Sequence, residues 1–129
     1  MFHGKGTIKF NYGASMIVEG NFNEGKLVFG NVKVLYKKGD FYEGKMNQYY
    51  KRDGNGGKLY YINGDIYEGS WRQDKREGKG KLHFSDGGIF EGIFKSDEIY
   101  NGKYKDKYEN IFENDASKEG FYKNGKING

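Results

Sequence analysis

A Glu-Gly step recurs along this chain at nearly constant spacing. It occurs at Glu19-Gly20, Glu43-Gly44, Glu68-Gly69 and Glu91-Gly92, at intervals of 24, 25 and 23 residues, and a fifth copy, Glu119-Gly120, follows after 28. A fixed period of this length is typical of repeat arrays, in which each small unit packs only against its neighbours. The period therefore predicts stacked units and disfavours a compact globular centre.

The composition indicates that the core of these units consists mainly of aromatic rings. Only 35% of the residues are apolar and 31% are charged, which by itself is typical of disorder. However, the chain holds 12 Tyr, 10 Phe and 22 Gly, and these residues keep the phase of the repeat. Disordered segments are poor in aromatic residues, so we expect a folded array.

Several function classes are disfavoured by composition alone. The chain has no cysteine, which excludes disulfides and thiolate metal sites and fits a reducing compartment. A net charge of +4 without a basic tail is weak evidence for nucleic acid as a partner. The sequence shows neither an apolar membrane span nor a signal peptide. We therefore expect a cytoplasmic protein.

The clearest unit runs from Ile66 to Gly87 and has the pattern of a β-hairpin. Polar and apolar residues alternate with period two in both arms, and Asp86-Gly87-Gly88 is a strong turn signal. The alternation places on one face Tyr67, Gly69 and Trp71 of the first arm and Gly78, Gly80, Leu82 and Phe84 of the second. No segment shows a useful 3.6-residue period, so the sequence predicts an all-β fold.

The second arm recurs and defines the inward positions of the array. These positions are Ile8, Val34, Leu59 and Leu82, followed two residues later by Phe10, Tyr36, Tyr61 and Phe84. Glycines on the same face allow a ring or a backbone to approach closely. We expect the aromatic residues at these positions to form the core.

Each repeated glutamate is predicted to face a lysine across the hairpin, on the face turned away from the rings. If Trp71 lies opposite Gly78, the pairs are Glu19 with Lys33, Glu43 with Lys58, Glu68 with Lys81 and Glu91 with Lys105. Directly opposed charges contribute about 0.2–1 kcal/mol per pair. The glutamates are therefore interpreted as structural, and exchanging Glu68 and Lys81 is predicted to recover much of the stability that Glu68→Lys loses.

The run Tyr67-Glu68-Gly69-Ser70-Trp71, followed by Gly78-Lys79-Gly80 and Asp86-Gly87, resembles the MORN repeat (membrane occupation and recognition nexus). Further runs that resemble it are Val18-Glu19-Gly20-Asn21-Phe22, Tyr42-Glu43-Gly44-Lys45-Met46 and Phe90-Glu91-Gly92-Ile93-Phe94, so the resemblance covers nearly the whole chain. It implies an elongated, single-layer twisted array of antiparallel β-hairpins with an aromatic groove. It also implies a scaffold or dimerisation module, or in some members contact with acidic phospholipids, and an association with the cytoskeleton or with a membrane surface.

The repeat pattern predicts the division of the chain. We expect a half repeat at 2–16, repeats at about 17–40, 41–65, 66–88 and 89–110, an insertion at about 111–117 and a partial repeat at 118–129. After Phe94, Asp106 takes the position of Val34 and Leu82, Ile111 stands near that of Gly39 and Gly87, and Asn114 to Lys118 form a loop. The incomplete units at both ends fit a segment of a longer array, or half-repeats that complete one another between molecules.

Catalytic and metal-binding patterns are weak. His3 and His83 are far apart in the array, and His83 is predicted to face outward on the Glu-Lys side. The Gly-Lys-Gly steps lie within strands and precede no helix, which phosphate loops require. The sequence thus predicts no enzymatic activity, cofactor or metal.

Two kinds of binding residue remain as candidates. Anion or acidic-phospholipid contacts are predicted for Lys103, Lys105 and Lys107, which strand alternation places on one face, and for the hairpin-tip residues Lys51, Arg52, Lys75 and Arg76. Protein contacts are predicted for tyrosines outside the inward positions, namely Tyr49, Tyr50, Tyr60 and Tyr100, with Tyr49 and Tyr50 in a loop outside the core. Protein binding along the groove or through the array ends, self-association included, is the first hypothesis, and phospholipid binding is the alternative.

Overall fold

The computed structural model of the chain describes residues 3–10, 16–115, 121–123 and 126–128. All the regular secondary structure in these residues is β-strand, as predicted. The strands are β1 (Gly4–Phe10), β2 (Met16–Asn23), β3 (Lys26–Leu27), β4 (Val32–Tyr36), β5 (Phe41–Gly44), β6 (Gly54–Tyr60), β7 (Ile66–Arg72), β8 (Lys75–His83), β9 (Ile89–Lys95), β10 (Glu98–Lys105), β11 (Ile111–Asp115), β12 (Phe121–Lys123) and β13 (Lys126–Asn128).

These strands form one open antiparallel sheet. Its order follows the chain from β1 to β13, except that the short β3 pairs with β2 beside the main path. Each strand therefore pairs with its predecessor and its successor, which confirms the predicted array of hairpins. The predicted repeat boundaries between residues 17 and 110 stay a prediction.

The core lies on one side of the sheet, which we call the inner face. Cross-strand pairing aligns its central row as Ile8, Val18, Val34, Tyr42, Leu59, Tyr67, Leu82, Phe90, Tyr104 and Phe112. Beside this row the Trp71 ring packs edge-on against Tyr67 and Tyr42, with centroid distances of 5.0 and 5.7 Å. The eight residues predicted at inward positions all lie on this face and are buried or half-buried.

Glycines allow this single sheet to bury large rings. The Tyr67 ring lies across Gly69 and Gly80, and a Cβ atom added at Gly80 would stand 2.3 Å from the Tyr67 hydroxyl. Rings also cover Gly57 and Gly102, where an added Cβ would meet Trp71 and Phe90 at 2.6 Å. The predicted close approach of rings to glycine backbone is thus confirmed.

The two ends of the strands differ. At the tip edge, two-residue turns with both φ angles positive join the strands at Glu24-Gly25, Gln73-Asp74 and Ser96-Asp97, the geometry that suits right-twisted hairpins. At the opposite, turn edge, longer turns connect successive repeats, and Asp40 and Asp65 accept backbone hydrogen bonds from the next turn, at Ile62 (2.9 Å) and Ser85 (2.8 Å). Neighbouring repeats are therefore linked along this edge as well as through the sheet.

The face opposite the rings, which we call the outer face, carries a continuous row of alternating charge. This charge ladder consists of Glu19, Lys33, Glu43, Lys58, Glu68, Lys81, Glu91, Lys103 and Glu113, each opposite the next. The structure confirms the register of three predicted pairs. The fourth is wrong, because Glu91 lies opposite Lys103, and Lys105 lies opposite Ile89.

Bulges explain this error. Trp71 lies opposite Arg76 and not opposite Gly78, because the β7–β8 register shifts between Gly69 and Trp71. The β9–β10 register shifts between Ile99 and Asn101. The number of residues between the paired Glu and Lys therefore differs between the β7–β8 and β9–β10 hairpins. For this reason the Glu68–Lys81 spacing does not predict the partner of Glu91.

The register shift between β9 and β10 also explains why the predictions after Phe94 are wrong. Tyr104, not Asp106, holds the position of Leu82, because both lie opposite Phe90. Glu109, not Ile111, holds the turn position of Gly87, with a φ of 68°. The predicted insertion at 111–117 and the loop from Asn114 to Lys118 are wrong as far as residue 115, because β11 pairs with β10 there; residues 116–118 lie outside the described residues.

Candidate functional site

A groove lies on the inner face between the central repeats. It has a volume of about 260 Å³, and its lining consists of Tyr36, Lys38, Asp40, Arg52, Leu59, Tyr61, Trp71, Arg76 and Asp97. Leu59 and Trp71 are almost fully buried, whereas Tyr36 and Tyr61 are half-buried. The groove thus combines an apolar floor with charged groups at its sides.

Arg52 is fixed in one wall of the groove. Its backbone N–H and its Nε both donate to Asp74 Oδ1, at 2.8 and 3.1 Å. Its guanidinium carbon lies 4.5 Å from the centre of the Trp71 ring and 5.3 Å from that of Tyr36. A guanidinium held by a carboxylate and stacked on rings is positioned by charge and by its π contacts together.

Arg76 repeats this arrangement one unit further along. Its backbone N–H donates to Asp97 Oδ1 at 2.9 Å, its Nη2 donates to the Asp97 carbonyl, and its guanidinium carbon lies 5.0 Å from the Phe94 ring. Because each arginine contacts an aspartate 21 or 22 residues later, the two pairs link successive repeats at the tip edge.

Most buried polar atoms around the groove are satisfied. Tyr67 and Tyr42 donate from their hydroxyls to the carbonyls of Ser70 (2.8 Å) and Lys45 (2.6 Å). The Tyr36 hydroxyl is buried and has no hydrogen-bond partner among the described residues. Burial raises the pKa of Tyr36 to about 12, against the opposing charge of Arg52. Tyr36 therefore remains neutral at physiological pH.

The predicted anion-binding residues do not converge. Arg52 and Arg76 are paired with aspartates, with side chains only 17% and 20% exposed, so they are not exposed tip charges. Lys103 lies between Glu91 and Glu113 in the charge ladder.

The remaining lysines lie apart from one another. Lys105 is an exposed residue of β10, whereas Lys107 follows the strand in a turn and places its Nζ 5.1 Å from the Tyr108 ring. The prediction that strand alternation aligns Lys107 with Lys103 and Lys105 is therefore wrong. Lys51 and Lys75 are exposed at the opposite, tip edge.

The predicted protein-contact tyrosines are also dispersed. Tyr49 is 69% exposed in the loop between β5 and β6. Tyr50 is not outside the core: its ring packs edge-on against Phe10 and Phe29, with centroid distances of 4.9 and 5.3 Å. Tyr60 packs beside Phe41 at 5.9 Å, and Tyr100 lies in β10, four strands away.

The outer face carries a second row that the sequence analysis missed. In β2, β5, β7 and β9 an apolar residue stands two positions before the ladder glutamate; these residues are Ile17, Phe41, Ile66 and Ile89. On the neighbouring strands they lie opposite Leu35, Tyr60, His83 and Lys105, and Lys105 in turn lies opposite Ile111. We call this set the outer apolar row, although two of its nine members, His83 and Lys105, are polar. Ile17, Leu35 and Ile111 are 36%, 47% and 44% exposed. Its signal in the sequence is the recurring apolar residue two positions before each repeated glutamate.

The described residues offer little for metal chemistry. Among them there is no group of three or more His, Cys, Asp or Glu side chains that could hold a metal ion. His83 lies opposite Ile66 and Ile89 on the outer face, as predicted, and His3 accepts a hydrogen bond at Nδ1 from the Glu24 N–H at 3.2 Å. None of the described residues belongs to a helix with the length and apolar character of a membrane span.

Comparison with known proteins agrees with this geometry. The family model of the MORN repeat matches residues 67–89, which contain β7, β8 and the turn that follows. A search of curated proteins found no match. MORN repeats are generally non-enzymatic modules that bind proteins or membranes. The matched unit is therefore a MORN repeat, and hairpins of the same kind continue in register through the sheet from β2 to β10.

Proposed function

We propose that the chain is a non-enzymatic cytoplasmic scaffold that holds an extended segment of a partner protein in the inner-face groove. The groove itself carries this proposal. Its floor is formed by the almost fully buried Leu59 and Trp71, while the half-buried rings of Tyr36 and Tyr61 and the paired arginines provide walls of fixed shape whose exposed surface is more polar than apolar. Peptide-binding grooves combine aromatic rings, which supply affinity, with rigid polar groups, which orient the ligand.

The array repeats this wall at a distance that suits an extended chain. Successive repeats begin equivalent turns at Tyr36, Tyr61 and Phe84. The backbone N–H groups of these residues donate to the carbonyls of residues 40, 65 and 88, respectively, at 2.8–2.9 Å. Two strand spacings separate them, or about 9.6 Å. A polyproline II segment rises about 3.1 Å per residue with three residues per turn, so it covers that distance in three residues and returns to the same face. The fitting partner is therefore a segment of this kind with an apolar side chain at every third position.

The state of the polar groups supports binding and not catalysis. A general acid or base must exchange protons within the working pH range. Arg52 and Arg76 are held by Asp74 and Asp97, and Tyr36 keeps its proton up to a pH of about 12. These groups position a ligand and are unsuited to transferring protons.

The test is selection of linear peptides on the immobilised chain, followed by affinity measurement with labelled peptides. Tyr61→Ala removes a ring from the groove, and Tyr49→Ala removes a ring that is 69% exposed in a loop. We expect Tyr61→Ala to weaken binding at least tenfold and Tyr49→Ala to leave it unchanged, with both variants melting cooperatively. Equal effects of the two variants would contradict a groove site.

Acidic phospholipid is the second candidate, supported by the exposed Lys51 and Lys75 along the tip edge. Flotation with neutral and phosphoinositide vesicles at low and physiological salt separates the two functions. Electrostatic adsorption weakens with ionic strength, whereas an apolar peptide side chain that packs against the rings of the groove, where the arginines are already paired with aspartates, responds little to salt. Flotation with acidic vesicles that Lys51→Glu/Lys75→Glu abolishes would favour the membrane.

A further inference from the structure

We infer that the outer face binds a second copy of this chain, and that the two sheets pack face to face. An antiparallel sheet with one solvated face normally places polar residues on that face. Here the outer apolar row crosses the sheet beside the charge ladder, and Leu35 is 47% exposed within it. A solvated face does not account for this row.

The charge ladder identifies the occupant. Its signs alternate strictly from Glu19 to Glu113. A two-fold axis parallel to the strands and midway between β6 and β7 turns two outer faces towards each other and reverses the strand order of one copy. Lys58 then meets Glu68 of the second copy, and Glu43 meets Lys81 of the second copy. Every ladder charge from β2 to β10 meets its opposite, which is the complementarity that fixes a partner.

The register of this dimer is restricted. An axis that passes through a strand would oppose Glu to Glu and Lys to Lys, which is repulsive. The rotation leaves each row at its own height along the strands, so the outer apolar row meets itself. Tyr60 then packs on Ile66 of the second copy, and Leu35 packs on Ile89 of the second copy. Phe41 meets His83 of the second copy and Ile17 meets Lys105 of the second copy, so the apolar contacts are those of β4, β6, β7 and β9.

The size of the face is sufficient for a moderate dimer. The eight strands from β2 to β10 span seven spacings of about 4.8 Å, which give a length of about 34 Å, and two rows about 7 Å apart with side-chain reach on each side give a width of about 14 Å. The footprint is about 480 Å² per copy, or about 950 Å² in total, which is close to the lower limit for a specific interface. The apolar side chains interdigitate at the sheet separation of about 10 Å found in sandwiches.

The dimer leaves both inner-face grooves open, since it uses the opposite face. The dimer therefore adds a property that a single chain lacks. Because it presents two grooves in a fixed arrangement, it binds a multivalent partner with higher avidity than one chain does. Self-association through the outer face also differs from pairing of the sheet ends.

The first test uses two complementary variants and sedimentation equilibrium from micromolar to near-millimolar concentration. Lys58→Glu/Lys81→Glu makes the central ladder acidic, and Glu43→Lys/Glu68→Lys makes it basic. We expect dimers of the wild type, a loss of at least tenfold in association for each variant alone, and restored dimers in their equimolar mixture. Circular dichroism checks that each variant is folded.

Three outcomes would overturn the inference. They are a wild type that remains monomeric throughout, variants that associate as well as the wild type, and folded variants whose mixture remains monomeric. The second outcome would assign self-association to the groove or to the sheet ends.

A second measurement needs no variant and so is independent of folding defects. Wild-type chain is mixed with its ¹⁵N-labelled form, joined by carbodiimide, which links amines to carboxylates, and digested for mass spectrometry. We expect mixed-isotope cross-links between Lys58 and Glu68 and between Glu43 and Lys81. Cross-links of a single isotope only would show contacts within one copy and reject the face-to-face dimer.

Discussion

Replacing Gly80 by alanine tests whether the core depends on rings that lie against glycine backbone. The added Cβ would stand 2.3 Å from the Tyr67 hydroxyl oxygen, 2.5 Å from Cε1 and 2.6 Å from Cζ. Gly80 does not have a positive φ, so backbone strain does not contribute. Tyr67 is fully buried and donates to the Ser70 carbonyl at 2.8 Å. Overpacking costs about 1–3 kcal/mol and the displaced hydrogen bond about 1 kcal/mol, so we expect Gly80→Ala to lower the free energy of unfolding by about 2–4 kcal/mol.

Urea unfolding followed by Trp71 fluorescence measures this loss. Trp71 is the only tryptophan and lies 5.0 Å from Tyr67, so its emission reports on the site. Gly30→Ala is the matched control, since an added Cβ there meets no atom within 4 Å, and its effect should stay within about 0.5 kcal/mol. In a Tyr67→Phe background the nearest atom is absent and the penalty of Gly80→Ala should shrink. If Gly80→Ala destabilises no more than Gly30→Ala, the packing argument is refuted.

The remaining predictions concern the buried hydroxyl and the charge ladder. Tyr36→Phe removes a hydroxyl that has no partner among the described residues, so urea unfolding should show stability unchanged or raised by about 1 kcal/mol. As pH rises from 10 to about 12, unfolded tyrosine ionises while folded Tyr36 keeps its proton, so stability should fall, and thermal melts of Tyr36→Phe should show a smaller fall. The double variant Glu68→Lys/Lys81→Glu should melt no higher than Glu68→Lys alone, because Lys58 and Glu91 then each face a like charge.

The sequence predicted the inner face well because two local constraints coincide there. Strand alternation decides the face of each residue, and the phased glycines mark where rings lie. Leu59 and Leu82 were therefore placed correctly, on either side of Tyr67. Both signals act within a few residues, and neither depends on how the hairpin ends.

Contacts between repeats escaped prediction for a physical reason. Arg52 and Arg76 look like tip charges within their own hairpins, but each belongs to an aspartate of the following unit. Tyr50 is in a loop, yet its φ of 60° accompanies a ring turned back towards Phe29 of the preceding unit. The one available signal was the spacing from each arginine to its aspartate, which is close to the repeat period.

The charge ladder shows why a pairwise interpretation of the outer face falls short. Glu68 faces Lys81 in its own hairpin and Lys58 in the preceding one, so each charge has two partners. Exchanging one pair restores a single contact and makes two neighbours repulsive, so the exchange cannot recover the stability that one reversal loses. Charges therefore alternate from β2 to β11, and an alternating row matches a second copy of itself after a shift of one strand. The same strands place Ile66 beside Glu68 and Tyr60 beside Lys58, which brings apolar surface into register with the charges. The outer face can therefore recognise a second copy only through the complete row of charges. This row becomes evident only when the pairing of each strand with both of its neighbours is known.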